Sequence, residues 1–208
     1  MSAWLPDSMQ GLPARVLLPE PYTQGRKYPL VVFLHGSAER GTDNGAQLKG
    51  VHVLEERRPP AIVVAPQCPS GDTFGGSWYG GGSATQDKVV ALVRELRGRS
   101  SVDASRVALV GFSMGAIGLW AMLERHRSLF SRAMPIAGDL DPSSVAGLEG
   151  FPIWAFHGGR DDLVPNVNTR AAMARLEAAG RYTELPGAGH DIAASVLSRG
   201  DVQDWLLR

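Results

Sequence analysis

The chain has 208 residues, with 21 basic side chains against 21 acidic ones, 44% of residues hydrophobic and 20% charged, the balance of a globular domain of enzyme size. A formal net charge of zero supplies no electrostatic pull toward nucleic acid or an anionic membrane, so neither is an expected partner. One cysteine, Cys68, can neither close an intramolecular disulfide nor build a zinc or iron–sulfur centre, and a reducing, cytoplasmic setting is expected.

The first eleven residues, with Pro6, Asp7 and Gln10, have neither the basic nor the apolar part of a secretory signal. No apolar run approaches the roughly 18 to 20 residues of a membrane helix, so membrane insertion is not expected. The first predicted strand is Val16 to Leu18, followed by Leu30 to Leu34 (LVVFL) and Ala61 to Ala65 (AIVVA). Asp87 to Arg97 reads as an amphipathic helix, with Val89, Leu92, Val93 and Leu96 on one face. Arg106 to Val110 (RVALV) is a strand and Met114 to Arg125 a helix. Strands at Ala133 to Ala137 and Pro152 to Phe156 (PIWAF) follow, then a helix over Asn168 to Ala179, capped by Asn168 and stopped by Gly180. Arg181 to Leu185 is the last strand, and Asp201 to Leu207 a terminal helix with Asp201 as its cap. Short runs that are apolar throughout fit strands buried on both faces of a parallel sheet. The alternation predicts an α/β fold in one domain, residues 1–208: a doubly wound, mostly parallel sheet with helices on both faces. The glycine-rich stretches Gly36 to Gly50 and Gly71 to Gly82 are too long for turns and are expected to line a site.

The sharpest local signal is Gly111-Phe112-Ser113-Met114-Gly115, directly after the strand RVALV and directly before an apolar helix. This is a G-x-S-x-G nucleophile elbow in the strand–turn–helix setting that it requires. Such a turn lifts the serine hydroxyl clear of the sheet and leaves the Met114 N–H at a helix start, where a developing oxyanion is favoured. A nucleophilic serine needs a base and the base an orienting acid, in the chain order Ser, Asp or Glu, His for this architecture. His157-Gly158-Gly159-Arg160-Asp161-Asp162-Leu163-Val164-Pro165 follows one strand and Gly187-Ala188-Gly189-His190-Asp191 follows the next. His190 is thus the expected base, and the acid is one of the adjacent pair Asp161 and Asp162. A second oxyanion donor is expected from the loop His35-Gly36-Ser37, where Gly36 lets the backbone approach and the Ser37 N–H points inward. His35 and His157 read as structural, their rings bonded to loop backbone. Trp78 and Tyr79 are either an apolar substrate wall or a plug at the sheet edge.

The chain resembles the α/β-hydrolase superfamily, and within it the small phospholipase/carboxylesterase-like serine esterases, over nearly its whole length. The resemblance rests on YPLVVFLHGSAERGTDN (Tyr28 to Asn44), VVAPQCP (Val63 to Pro69), VDASRVALVGFSMGAIGLW (Val102 to Trp120), HGGRDDLVP (His157 to Pro165) and GAGHD (Gly187 to Asp191). It implies Ser113 as nucleophile, His190 as base, Asp161 rather than Asp162 as acid, and the backbone N–H groups of Ser37 and Met114 as the oxyanion hole. Related dienelactone hydrolases use a cysteine at the elbow, where this chain has serine, and Ala116 stands where family members often carry a further glycine. The reaction implied is hydrolysis of a small-molecule carboxylic ester through an acyl-enzyme, with no cofactor or metal. The same residues suit a thioesterase or a peptidase, and a hydrolase fold can also serve as a catalytically silent binding module. No stretch is long enough for a helical cap domain.

Overall fold

The apolar runs assemble into one eight-stranded sheet in the structure, a computed structural model that describes residues 3–176 and 180–208. The strands are β1 (Trp4–Met9), β2 (Leu12–Leu17), β3 (Tyr28–Leu34), β4 (Ile62–Pro66), β5 (Val102–Phe112), β6 (Arg132–Ile136), β7 (Ile153–Gly158) and β8 (Gly180–Leu185). Their order is β1-β2-β4-β3-β5-β6-β7-β8, antiparallel for β1–β2 and β2–β4 and parallel for every later pair. The helices are α1 (Val53–Arg57), α2 (Ala84–Arg97), α3 (Met114–His126), α4 (Val167–Arg175), α5 (Ala193–Leu197) and α6 (Gly200–Leu206).

All seven residues of β3 are buried, because both faces of the strand are covered. Leu30, Val32 and Leu34 pack with Leu92 and Val93 of α2 and Leu119 of α3 in one hydrophobic layer, which also takes Met173 of α4. Val31 and Phe33 point the other way, into a layer shared with Leu54 of α1, Val196 and Leu197 of α5, and Val202 and Leu206 of α6. This is the doubly wound α/β-hydrolase arrangement expected from the alternation of strands and helices. From β3 the chain passes to β4 on one side and then to β5 on the other, so the winding reverses at the carboxyl ends of β3 and β5. The loops starting at His35 and Ser113 meet at that reversal.

Several boundaries differ from expectation. The exposed stretch Leu5 to Ser8, with Pro6 inside it, hid β1 from a hydrophobic reading, yet the strand pairs with β2 along its whole length at the sheet edge. Gln10 and Gly11, at φ +53° and +73°, turn that hairpin, and β2 begins at Leu12 rather than Val16. α2 begins at Ala84, where the Ser83 hydroxyl accepts the Gln86 N–H at 3.0 Å. Asn168 and Asp201 lie inside their helices; the cap positions are Asn166 and Arg199, and neither makes a side-chain cap bond. Gly180 opens β8 instead of stopping α4, and residues 177–179 of the predicted helix lie outside the described residues. Between β6 and β7 the chain forms only the short 3-10 turn Pro142–Val145, so no helical layer rises there over the sheet. No helix among the described residues is long and apolar enough to cross a membrane.

Candidate active site

Ser113 sits between the end of β5 and the start of α3 with φ +52° and ψ −118°, a region that a side chain enters at a cost of about 1–3 kcal/mol. The turn is held on both sides. The Ser113 N–H donates to the Ile136 carbonyl at 2.9 Å, and the Ser113 carbonyl accepts from Ala116 and Ile117 at 2.9 and 3.0 Å. A Cβ on Gly111 would strike the backbone of Gly115, and one on Gly115 would strike the Leu34 carbonyl of β3. Both glycines are therefore steric requirements of the turn, as the sequence pattern implies.

The strand ends bring two other loops to the same place. His190 Nε2 lies 2.8 Å from Ser113 Oγ, and His190 Nδ1 lies 2.8 Å from Asp161 Oδ2. The Asp161 carboxyl is fully buried, and its Oδ1 accepts the backbone N–H groups of Leu163 and Val164 at 3.1 and 2.9 Å. Its neighbour Asp162 is exposed. His190 packs its ring against Phe112 at 5.2 Å between centroids.

His157 is completely buried and its Nε2–H donates to the Val164 carbonyl at 2.8 Å, while Asp161 Oδ2 lies 3.3 Å from the same nitrogen. Burial pushes its pKa below the ordinary histidine value, so the ring is a neutral donor that fixes the 157–165 loop and one oxygen of Asp161. His35 plays the matching part in the other loop. Its Nε2 accepts the Cys68 N–H at 2.9 Å, which leaves Nδ1 protonated to donate to the Gly36 carbonyl at 2.7 Å. Burial lowers its pKa to about 4 against the pull of that Gly36 bond. Both rings bond loop backbone, and the added contact of His157 with Asp161 was invisible in the sequence. Cys68 is also buried, and burial raises its thiol to about 11, so it carries no appreciable thiolate near neutral pH.

Ser113 and His190 open into a cleft of about 480 Å³, which Ser37, Trp78, Tyr79 and Leu163 also line. Ser37 begins the 3-10 turn Ser37–Glu39, and Met114 is the first residue of α3, whose N–H has no carbonyl a turn earlier in the helix. Trp78 and Tyr79 are 48% and 36% exposed, which places them on the wall of the cleft and not in the core. The indole of Trp78 donates to Asp139 Oδ2 at 2.6 Å. Lys49 bridges the two loops that flank the cleft, 3.2 Å from Asp191 Oδ2 and 3.9 Å from Glu39 Oε1. The hydrogen bond to Asp191 raises the Lys49 pKa, and burial raises that of Glu39. Asp139, Lys49, Glu39 and Asp191 were not singled out in the sequence, although Glu39 and Asp191 stand within the same HGSAERG and GAGHD segments. Among the described residues no group of three or more His, Cys, Asp or Glu is placed to hold a metal ion.

The arrangement joins a strained, accessible hydroxyl, an imidazole with one nitrogen on that hydroxyl and the other on a carboxylate, and helix-start N–H groups beside them. Such a set can shuttle a proton while a carbonyl is attacked.

Comparison with known proteins points the same way. The Esterase family model matches residues 8–186. Esterase YpfH of Escherichia coli (strain K12) is 28% identical over 135 residues, covering 59% of this chain and 58% of that protein. Poly(3-hydroxyalkanoate) depolymerase C of Paucimonas lemoignei is 32% identical over 117 residues, 53% of this chain and 28% of that one. Among solved structures, a thermostable esterase superposes with a TM-score of 0.88 at 30% identity, over 98% of this chain and 62% of its own. Est1E from Butyrivibrio proteoclasticus shares the fold, with a TM-score of 0.72 at 14% identity over 99% and 98% of the two chains. The chain therefore spans less than two thirds of the length of these two curated relatives and of the thermostable esterase.

Proposed function

Because this chain belongs to the Esterase family, whose pattern runs from residue 8 to 186, we propose that it is a serine carboxylesterase acting as a single α/β-hydrolase domain on small-molecule esters. The observation that carries the reading is the unbroken relay from Ser113 Oγ to His190 to Asp161, with both links at 2.8 Å. Ser113 Oγ attacks the ester carbonyl carbon while His190 Nε2 takes the hydroxyl proton. The carbonyl electrons move onto oxygen, and the N–H groups of Ser37 and Met114 stabilise that oxyanion, each donor being worth roughly 3 kcal/mol at the transition state. Asp161 holds the imidazole with Nδ1 protonated and balances the imidazolium that forms.

His190 then gives its proton to the leaving alcohol, whose bond to the acyl carbon breaks, and a Ser113 ester remains. Water attacks that ester with His190 again taking the proton, and the acid leaves as Ser113 recovers its hydrogen. Trp78, Tyr79 and Leu163 form the apolar wall against which the substrate lies. A reducing, cytoplasmic setting belongs to this reading and rests on the lone buried thiol.

The test is Ser113→Ala assayed on p-nitrophenyl acetate, together with labelling by a fluorophosphonate probe. The expected result is complete loss of labelling and a fall in kcat of about 10⁴-fold or more, with the fold retained by circular dichroism. A variant that kept more than a few per cent of wild-type turnover would remove Ser113 from the reaction.

A further inference from the structure

The glycine-rich stretch before α2 is firmly seated at its base and exposed at its tip. The buried Gln86 side chain donates to the Phe74 carbonyl at 3.0 Å, and the Ser83 hydroxyl donates to the Thr73 carbonyl at 2.6 Å. Gly76 lies so close to α3 that a Cβ there would stand 2.5 Å from Ile117, and it exchanges two backbone hydrogen bonds with Gly81, at 2.6 and 3.1 Å. Residues 77–80, which that bridge closes off, are all exposed. Trp78 and Tyr79 therefore reach the wall of the cleft from an exposed tip. Among the described residues, the one side-chain hydrogen bond of this tip runs from Trp78 Nε1–H to Asp139 Oδ2, at 2.6 Å.

Asp139 stands on a fixed backbone. It follows the carboxyl end of β6, the strand beside the one that leads to Ser113. The Ala137 N–H donates to the Phe156 carbonyl of β7 at 2.9 Å, and the Gly138 carbonyl accepts the buried Thr169 hydroxyl of α4 at 2.8 Å. A carboxylate anchored to the sheet thus holds an indole carried by the tip, and a bond to a carboxylate is stronger than one to a neutral acceptor. The N–H is the one polar atom of an indole, so its use on Asp139 leaves Trp78 only carbon surface to offer the cleft, beside Ile117, Leu163 and Val164. At about 480 Å³ the cleft has room for far more than an acetyl group.

We propose that Asp139 is a specificity-determining residue that acts through Trp78: it fixes the indole at the cleft and so sets a preference for esters with an apolar chain long enough to lie on that ring. The proposal rests on the esterase reading of Ser113 and adds to it the substrate class that the site selects. The experiment measures kcat/KM by pH-stat for ethyl hexanoate and hexyl acetate, each relative to ethyl acetate, so that a long chain is tried on either side of the carbonyl. Wild-type protein is expected to favour at least one long ester by about tenfold. Asp139→Ala is expected to lower that preference by about fivefold, through KM for the long ester. Asp139→Asn, which keeps an oxygen for the indole, is expected to stay within about twofold of wild type. These ratios do not depend on the fraction of active protein.

Trp78→Phe keeps a ring without the N–H and is expected to lose as much preference as Asp139→Ala, and the double variant no more than either single one. The Trp78 indole signal in NMR, identified by its disappearance in Trp78→Phe, is expected to exchange its proton more slowly in wild type than in Asp139→Ala. Added 2-octanone, a chain with no ester bond, is expected to shift that signal in wild type and not in Asp139→Ala. A wild-type preference below about twofold for both long esters, a preference that Asp139→Ala retains or Asp139→Asn fails to restore, or equal indole exchange in wild type and Asp139→Ala overturns the assignment. Should the protein hydrolyse none of these esters nor p-nitrophenyl acetate, a ketone shift seen in wild type and lost in Asp139→Ala upholds the role of Asp139 while the esterase reading falls; with no such shift both fall.

Discussion

Asp161 and Asp162 are adjacent in the chain and chemically identical, yet they occupy opposite environments. Asp161 has both oxygens committed, one to the Leu163 and Val164 N–H groups and one to His190, whereas Asp162 faces outward. Asp161→Asn is expected to preserve the loop but to offer an amide to His190, favouring the wrong tautomer and withdrawing the balancing charge. The expected loss in kcat is on the order of 10⁴-fold. Asp162→Asn is expected to lose less than about tenfold, because it touches neither imidazole nor elbow. Steady-state assays of both variants on p-nitrophenyl acetate check the ranking; the reverse order would hand the acid role to Asp162. At this scale the sequence was readable where geometry is local. The elbow glycines and the order of serine, acid and histidine are written in short motifs. The bond from Trp78 to Asp139 joins residues 61 positions apart with no motif linking them. The 3.3 Å approach of His157 to Asp161 depends on how one loop closes on itself.

α3 carries the elbow only because it can lie directly against β3. A methyl group on Gly115 would drive into the Leu34 carbonyl, so Gly115→Ala must push the start of the helix off the sheet. The expected destabilisation is about 3 kcal/mol, with loss of turnover beyond it as Ser113 and His190 separate. Gly187→Ala, on the loop before His190, meets nothing within 4 Å and is expected to stay within about 0.5 kcal/mol of wild type. Urea unfolding of the two variants decides between steric contact and a general intolerance of alanine in these loops. The core strands and long helices were legible because burial on both faces, or on one helical stripe, leaves a composition that can be read. β1 was missed because a two-stranded edge with four consecutive exposed residues has no such composition. The five-residue helices α1 and α5 are too short to show a period.

For the molecule as a whole, two buried neutral histidines set a sensitivity to acid. The His35 pKa falls from about 6.5 in an unfolded chain to about 4 in the folded one, so between those values the unfolded state binds the extra proton. Folding stability therefore declines as pH drops through that window, by about 2 kcal/mol at pH 5 for His35 alone. His157 acts in the same direction, and the raised Glu39 in the opposite one. Urea unfolding at pH 7.5 and pH 5, in wild type and His35→Gln, isolates the His35 share, because the other two groups are common to both proteins. The pH-dependent difference is expected to shrink by about 2 kcal/mol in the variant, and an equal difference in the two would exclude His35 as its source.

The sheet order has one more consequence. Ser113 follows β5, which has a strand on each side, whereas His190 follows β8, an edge strand in which no residue is fully buried and whose one strand neighbour among the described residues is β7. Local opening is easiest where few buried contacts resist it. On the proposed roles of Ser113 and His190, nucleophile and base then ride on elements of unequal protection, and opening at that margin of the sheet is expected to displace His190 before Ser113. Under that proposal, competence for acyl transfer is expected to fail with the outermost strand, before the interior of the molecule gives way.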